Sequence, residues 1–264
     1  MMIAILTLLA GLLGLLVGAV MNAKILRSEE SMSFTTNRRC GVCAIPTSSV
    51  EMLPIAGYMA MRGRCRSCKA VVPWQYPATE LAVGILFGLF AARALLHVEL
   101  PGFVLPNEVL VLFVRDALMT CALALVFMFD YRASVIPDRV TIPAIIVALI
   151  FNLWLGMDVG MMLLGGLIIG GFFAIQYLLS SGKWVGGGDI RMGLLMGFLL
   201  GPILGIVGLF LSYVFGAIIG IGLILTKRRT IDSHVPFGTF LALATFVCML
   251  FGERLVNWYA SFFS

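Results

Sequence analysis

Residues 203–226 read ILGIVGLFLSYVFGAIIGIGLILT, a run with no charged side chain. It is longer than the about 20 apolar residues that a helix needs to cross a bilayer. The segment at 189–201 is shorter, and Gly201-Pro202 separates it from this run, so we expect a half-helix or a tight hairpin there. Counting both, the predicted spans are 2–22, 78–98, 108–129, 139–157, 159–180, 189–201, 203–226 and 237–260.

The composition supports a membrane fold. Of the 264 residues, 61% are hydrophobic and 12% are charged. A soluble domain carries about 25% charged residues, and its core cannot accommodate so much apolar surface. We therefore predict an all-α polytopic membrane protein with about eight transmembrane helices and the lipid bilayer as its surroundings.

Basic side chains concentrate in alternate turns between these spans. The largest cluster lies in segment 24–77, and later clusters fall near Arg132, Lys183 and Arg228. The intervening turns carry acidic residues and no Lys or Arg. The positive-inside rule then predicts that the basic turns face the cytoplasm and that both termini lie outside. Topology accounts for the net charge of +5, so we expect no nucleic-acid partner. The first span lacks a preceding basic region and is expected to remain uncleaved.

These patterns divide the chain into a first transmembrane helix at 1–23, a cytoplasmic segment at 24–77 and a multi-helix membrane domain at 78–264. The cytoplasmic segment holds two CxxC turns, formed by Cys40, Cys43, Cys65 and Cys68. Two such turns can bring four thiolates around one Zn²⁺ ion, which would stabilise a segment too small for a hydrophobic core. Disulfides or a redox pair are the alternatives, and the reducing cytosol disfavours disulfides.

Three aspartates lie where predicted helices meet the cytoplasmic side. Asp138 follows a proline at a helix start, and we interpret it as an N-cap. Asp130 lies at the C-terminal end of its span, where the helix dipole disfavours negative charge. Asp189 follows the run Gly186-Gly187-Gly188, which permits a close approach of the backbone to another chain segment.

Asp130 and Asp189 together match the requirements of an aspartic protease. One ionised carboxylate can take a proton from water while its protonated partner polarises a peptide carbonyl. Because Asp189 begins a helix and Asp130 ends one, we hypothesise that Asp189 is ionised at rest and Asp130 carries the proton.

Two other classes of function remain open at this point. A proton-coupled transporter could use Asp116, Asp130 and Asp189 as its pathway, although Asp116 adjoins Arg115 and is expected to pair with it. A zinc-bearing scaffold without enzymatic activity would need neither Asp130 nor Asp189.

An ordered set of motifs resembles the bacterial type IV prepilin peptidases, which are intramembrane aspartyl proteases with a GxGD motif. Residues 186–189 match GxGD, and Asp130 with Pro137-Asp138 is similar to the family's D-x6-PD stretch. Further similarity is found at 17–22 in the first span, at 62–68 (RGRCxxC), at 76–80 (YPxxE) and at 236–241 (P-F-G-P-F-L). Within the last motif, Thr239 replaces a proline.

This resemblance implies that Asp130 and Asp189 are catalytic and that the substrates are prepilins or pseudopilins in the bacterial inner membrane. Such enzymes cut a basic leader after a glycine on the cytoplasmic side, and many methylate the new N-terminus with S-adenosylmethionine. The first CxxC lacks the usual prolines, a departure that bears on methylation more than on cleavage. Further candidates for substrate binding or methyl transfer are Asn22, Glu51, Glu80, Gly186 and Gly188. Solvation or helix-start stabilisation is the competing interpretation of the two glutamates.

Overall fold

The computed structural model describes residues 2–25, 40, 42–43, 45, 53–96, 106–226 and 236–262. Its helices are α1 (Met2–Ile25), α2 (Ala56–Ala60), α3 (Gln75–Leu96), α4 (Pro106–Ala133), α5 (Asp138–Trp154), α6 (Val159–Ser180), α7 (Gly187–Leu225) and α8 (Phe237–Ala260). Six of them are long and apolar enough to cross a membrane. The predicted all-α polytopic fold is therefore confirmed.

The chain forms two compact units, Met1–Val109 and Leu110–Ser264. In the first unit, α1 packs along α3 through small residues. A Cβ atom at Gly18 would lie 2.9 Å from the Cα atom of Glu80, so only glycine permits this approach of the two backbones. The functional division at residues 23 and 77 remains a prediction.

The second unit contains α4 from Leu110 onward together with α5 to α8, and α7 is its most irregular helix. Gly201 has φ 74° and ψ −177°, a conformation that interrupts the helix and favours glycine. A Cβ atom at Gly205 would lie 3.8 Å from the Cα atom of Gly197, and one at Gly208 would lie 3.2 Å from the sulfur of Met196. A straight helix would separate positions 196 and 208 by about 18 Å. The chain therefore reverses direction, and α7 is a hairpin of two limbs, 187–200 and 202–225, as one of the sequence alternatives predicted.

A buried side chain satisfies the backbone at this break. Pro202 has no N–H group, so the carbonyl of Phe198 loses its helical partner. Asn152 of α5 donates hydrogen bonds to the carbonyl oxygens of Phe198 and Leu199, at 2.9 Å and 3.1 Å. Asn152 is fully buried, and these bonds let a broken helix persist inside the membrane unit.

Arg115 and Asp116 of α4 complete this polar network. Arg115 Nη1 donates to Asn152 Oδ1 at 2.8 Å, which orients the amide. The same guanidinium donates from Nε and Nη2 to Asp116 Oδ1, at 2.9 Å and 2.7 Å. The expected local pairing of Asp116 with Arg115 is confirmed.

Candidate active site

Asp130 lies in the last turn of α4 and is 4% exposed. Its Oδ2 accepts hydrogen bonds from the N–H of Thr239 at 2.6 Å and from the hydroxyl of Thr239 at 3.0 Å. Thr239 lies in the first turn of α8, which begins after its N-cap residue Pro236. The first N–H groups of a helix have no partner within the helix and attract negative charge. The start of α8 thus compensates for the unfavourable position of Asp130 at the end of α4.

Asp189 lies in the first turn of α7 and is half-buried. Its Oδ2 accepts a hydrogen bond from the N–H of Gly186 at 2.9 Å, while its own N–H donates to the carbonyl of Gly186 at 3.1 Å. The bond from the Gly186 N–H to the Asp189 side chain is one half of a capping box, with Gly186 at the N-cap position, while the second bond joins backbone groups only. The glycine run therefore fixes the orientation of the Asp189 carboxylate.

Asp189 directly follows Gly188, and a Cβ atom at Gly238 would lie 2.9 Å from Asp130 Cγ. The buried side chain of Ile136 lies against both glycines that accompany them. A Cβ atom at Gly188 would lie 2.8 Å from Ile136 Cβ, and one at Gly238 would lie 2.6 Å from Ile136 Cδ1. The segment between α4 and α5 therefore packs against the starts of both α7 and α8, which brings the acidic groups together.

Asp138 has a different role from the one expected. The N-cap of α5 is Pro137, and no side chain caps this helix, so the N-cap interpretation of Asp138 is wrong. Proline shifts the helix boundary by one residue and leaves Asp138 inside the first turn. Its Oδ1 instead forms an ion pair with Arg191, two residues beyond Asp189. Both partners are partly exposed, so the pair contributes orientation more than stability.

The shortest hydrogen bonds donated to these carboxylates fall on Oδ2 of each, and the N–H of Gly238 is a further backbone donor to Asp130. Thr239 holds Oδ2 of Asp130, and Gly186 holds Oδ2 of Asp189. The Oδ1 atoms are left for water and substrate. Two fixed carboxylates, each with one available oxygen, can exchange protons with a water molecule and a peptide group.

In the first unit, four reduced cysteines converge, and their sulfur atoms lie within 4.8 Å of one another. The sulfurs of Cys40 and Cys68 are 3.7 Å apart, and those of Cys43 and Cys65 are 3.9 Å apart. Four sulfurs bound tetrahedrally to zinc at about 2.3 Å would be separated by about 3.8 Å. The spacing of this cluster therefore fits one zinc ion.

The backbone of each CxxC turn stabilises a thiolate. N–H groups of Cys43 and Val42 lower the pKa of Cys40 to about 6. The N–H groups of Cys68 and Ser67 similarly lower the pKa of Cys65. Desolvation and hydrogen bonds with the neighbouring thiols raise the pKa of Cys68 to about 11. The turn geometry therefore favours one thiolate in each CxxC turn, the form that metal binding requires.

Asn22 and Glu80 belong to a hydrogen-bond network that joins the ends of α1 and α3. Asn22 Nδ2 donates to Glu80 Oε1 at 3.2 Å, and the hydroxyl of Thr79 donates to Asn22 Oδ1 at 2.8 Å. Glu80 Oε2 accepts from the N–H of Ile55 at 2.8 Å. Ile55 has φ 57°, a costly conformation for a β-branched residue, and this hydrogen bond helps to hold it. Glu51 lies outside the described residues.

Both parts of the chain match known peptidase families. Residues 12–94 match the family described as Bacterial Peptidase A24 N-terminal domain. Residues 117–221, which contain Asp130 and Asp189, match the Type IV leader peptidase family. No solved structure matches the chain significantly.

Several curated relatives carry the name prepilin leader peptidase/N-methyltransferase. The chain is 31% identical to the protein from Aeromonas salmonicida (strain A449) over 231 residues, which cover 84% of this chain and 74% of the relative. It is 27% identical to the Neisseria gonorrhoeae protein over 293 residues, covering 95% and 93% of the two chains. Identity to the Bacillus subtilis (strain 168) protein is also 27%, over 83% of this chain and 84% of the relative.

Proposed function

The chain belongs to the type IV leader peptidase family, and from this premise we propose that it is a membrane aspartic endopeptidase that matures prepilins or pseudopilins. It removes the basic leader after a glycine and methylates the new N-terminus with S-adenosylmethionine. Asp130 and Asp189 are its catalytic pair. The observation that carries the proposal is the packing of Ile136 against both Gly188, beside Asp189, and Gly238, beside Asp130, within a region that matches the leader peptidases.

The two carboxylates divide the work of peptide hydrolysis. The ionised one takes a proton from the attacking water, and the protonated one donates a hydrogen bond to the scissile carbonyl. That Asp189 is ionised at rest and Asp130 protonated remains a prediction, because the pair exchanges its proton as a unit. The available Oδ1 atoms are where these transfers occur.

The position of the site suits a substrate that is itself anchored in a membrane. Asp130 ends α4, while Asp189 and Thr239 lie in the first turns of α7 and α8. The basic turns flank these ends, and the positive-inside rule assigns them to the cytoplasmic face of the bacterial inner membrane. A hydrophobic substrate helix would remain in the bilayer while its leader reaches the carboxylates.

The cysteine cluster holds a structural zinc ion in this proposal. Cys40, Cys43, Cys65 and Cys68 would be the four ligands, a closed set that leaves no position for substrate. S-adenosylmethionine would supply the methyl group for the second activity. Asn22 and Glu80 are already engaged in joining α1 to α3, which supports a structural contribution alongside any role in methyl transfer.

The test is a maturation assay with the purified full-length protein and a prepilin substrate, with and without S-adenosylmethionine, read by mass spectrometry. We expect leader removal in both conditions and one added methyl group only with the methyl donor. Asp130→Asn and Asp189→Asn should each abolish leader removal, because an amide cannot exchange the catalytic proton. Complete cleavage by either variant would contradict the assignment of the pair.

The transporter alternative gains no support from the described residues. Asp116 is bound by Arg115, and the other two acids lie at one end of the second unit. Aspartate-dependent ion flux in vesicles, without any peptide cleavage, would instead support the transporter hypothesis.

A further inference from the structure

Thr239 offers Asp130 two different donors from a single residue. Its N–H lies 2.6 Å from Asp130 Oδ2, and its hydroxyl oxygen lies 3.0 Å from the same atom. A proline, which the resembling family motif has at this position, carries neither an N–H nor a hydroxyl group. This chain therefore makes contacts to Asp130 that the family motif does not specify.

The geometry points to Thr239 as a positioning residue that selects Oδ1 of Asp130 as the oxygen that gains and loses protons. This inference rests on the proposed function, because it requires Asp130 to be one of the catalytic acids. A carboxylate oxygen has two lone pairs, and Thr239 occupies both on Oδ2. Asp130 therefore gains and loses its proton at Oδ1.

The hydroxyl group can follow the charge of Asp130 during a reaction. It carries one hydrogen but has two acceptors, Asp130 Oδ2 at 3.0 Å and the carbonyl of Pro236 at 2.7 Å. An ionised carboxylate is the stronger acceptor, so the hydrogen points to Oδ2 while Asp130 is charged. When Oδ1 is protonated, Oδ2 becomes a weaker acceptor and the hydrogen can turn to Pro236. The N–H of Thr239 remains on Oδ2 in both states, and the hydroxyl never gives up its proton.

The packing around this contact keeps it fixed. Thr239 and Asp130 are each 4% exposed, so water cannot readily replace the hydroxyl group. A Cβ atom at Gly238 would lie 2.9 Å from Asp130 Oδ2. The lack of a side chain at Gly238 therefore lets the start of α8 approach the carboxylate.

The experiment compares Thr239→Val with Thr239→Ser in the full-length protein, with Thr245→Val as the matched control. Valine keeps the shape and the N–H but removes the hydroxyl, whereas serine retains both donors. Thr245 is buried in the same helix, and its hydroxyl bonds only to the carbonyl of Leu241 among the contacts described. Steady-state kinetics with a prepilin substrate and thermal unfolding are measured for each variant.

We expect Thr239→Val to lower kcat about tenfold with KM unchanged, the loss typical of one hydrogen bond to a charged group. Thr239→Ser should restore kcat, and Thr245→Val should match the wild type. An unchanged kcat in Thr239→Val, a loss confined to KM, or failure of serine to restore the rate would overturn the inference. If the valine variant does not fold, Thr239→Ala gives the same comparison.

The controls separate this inference from the proposed function. If the wild type does not cleave prepilin, or if Asp130→Asn still cleaves it, the proposed function is wrong. If the wild type cleaves, Asp130→Asn does not, and Thr239→Val retains the full rate, only the role of Thr239 is wrong.

Discussion

Gly187 and Gly188 are adjacent residues with very different surroundings. A Cβ atom at Gly188 would lie 2.8 Å from Ile136 Cβ, an atom close to the backbone that cannot rotate away. A Cβ atom at Gly187 would meet nothing within 4 Å. The contact made by Gly188 lies next to Asp189, so a shift there moves the carboxylate itself.

We therefore predict that Gly188→Ala impairs leader cleavage and that Gly187→Ala, the matched control, does not. Overpacking of a buried contact costs about 1–3 kcal/mol of stability. Displacement of a reacting group by 1 Å can reduce the rate by about a hundredfold. Cleavage kinetics and thermal unfolding measure the two effects, and equal activity of both variants would contradict this account of Ile136.

At the scale of single residues, the two acids could be predicted from the sequence, but one of their contacts could not. Asp130 and Asp189 could be selected from the sequence because acidic residues at helix ends near a membrane are costly. The contact between Thr239 and Asp130 joins positions 109 residues apart, and no local pattern indicates it. The available signal was Gly238 directly before Thr239 in the first turn of α8. This pair indicates a contact with Asp130 only once the end of α4 is known to lie opposite it.

At the scale of elements, the hairpin in α7 depends on a residue in another helix. Asn152 of α5 donates to two carbonyl oxygens at the break, and Arg115 of α4 holds the amide in position. Gly201-Pro202 was sufficient to predict an interruption, because proline lacks an N–H group. The partner of the freed carbonyls could not be predicted, because it comes from an earlier helix through packing.

We predict that Asn152→Leu destabilises the protein and reduces cleavage. Each buried polar group left without a partner costs about 1–3 kcal/mol, and this substitution affects two carbonyl groups and one guanidinium N–H. The first limb of α7 carries Asp189, so its displacement should also lower the cleavage rate. Asn257→Leu is the control, because Asn257 is exposed near the end of α8. Thermal unfolding in detergent measures the effect, and equal stability of the two variants would contradict it.

At the scale of the whole molecule, the cysteine cluster and the paired acids lie in different compact units. The cysteines belong to Met1–Val109, and the aspartates belong to Leu110–Ser264. Composition and spacing predicted both groups, since a CxxC pair and a GxGD motif are local patterns. The packing of α3 with α1 in the first unit required the structure, because apolar helices give no pairing signal in their sequences.

Because the two groups belong to different units, disruption of the cysteine cluster should have a specific consequence. We predict that Cys65→Ser abolishes stoichiometric zinc binding, measured by elemental analysis of the purified protein, because the three remaining thiolates no longer close the tetrahedral site. The segment at 24–77 would then lose the metal cross-link that we propose stabilises it in place of a hydrophobic core. Since the acids lie in the other unit, methyl transfer should fall further than leader removal when both products are quantified in one reaction.

Cys121→Ala, outside the cluster, should retain zinc and both activities. Full zinc content in Cys65→Ser would exclude the four-cysteine site, and an equal loss of both activities would show that the metal supports the whole enzyme.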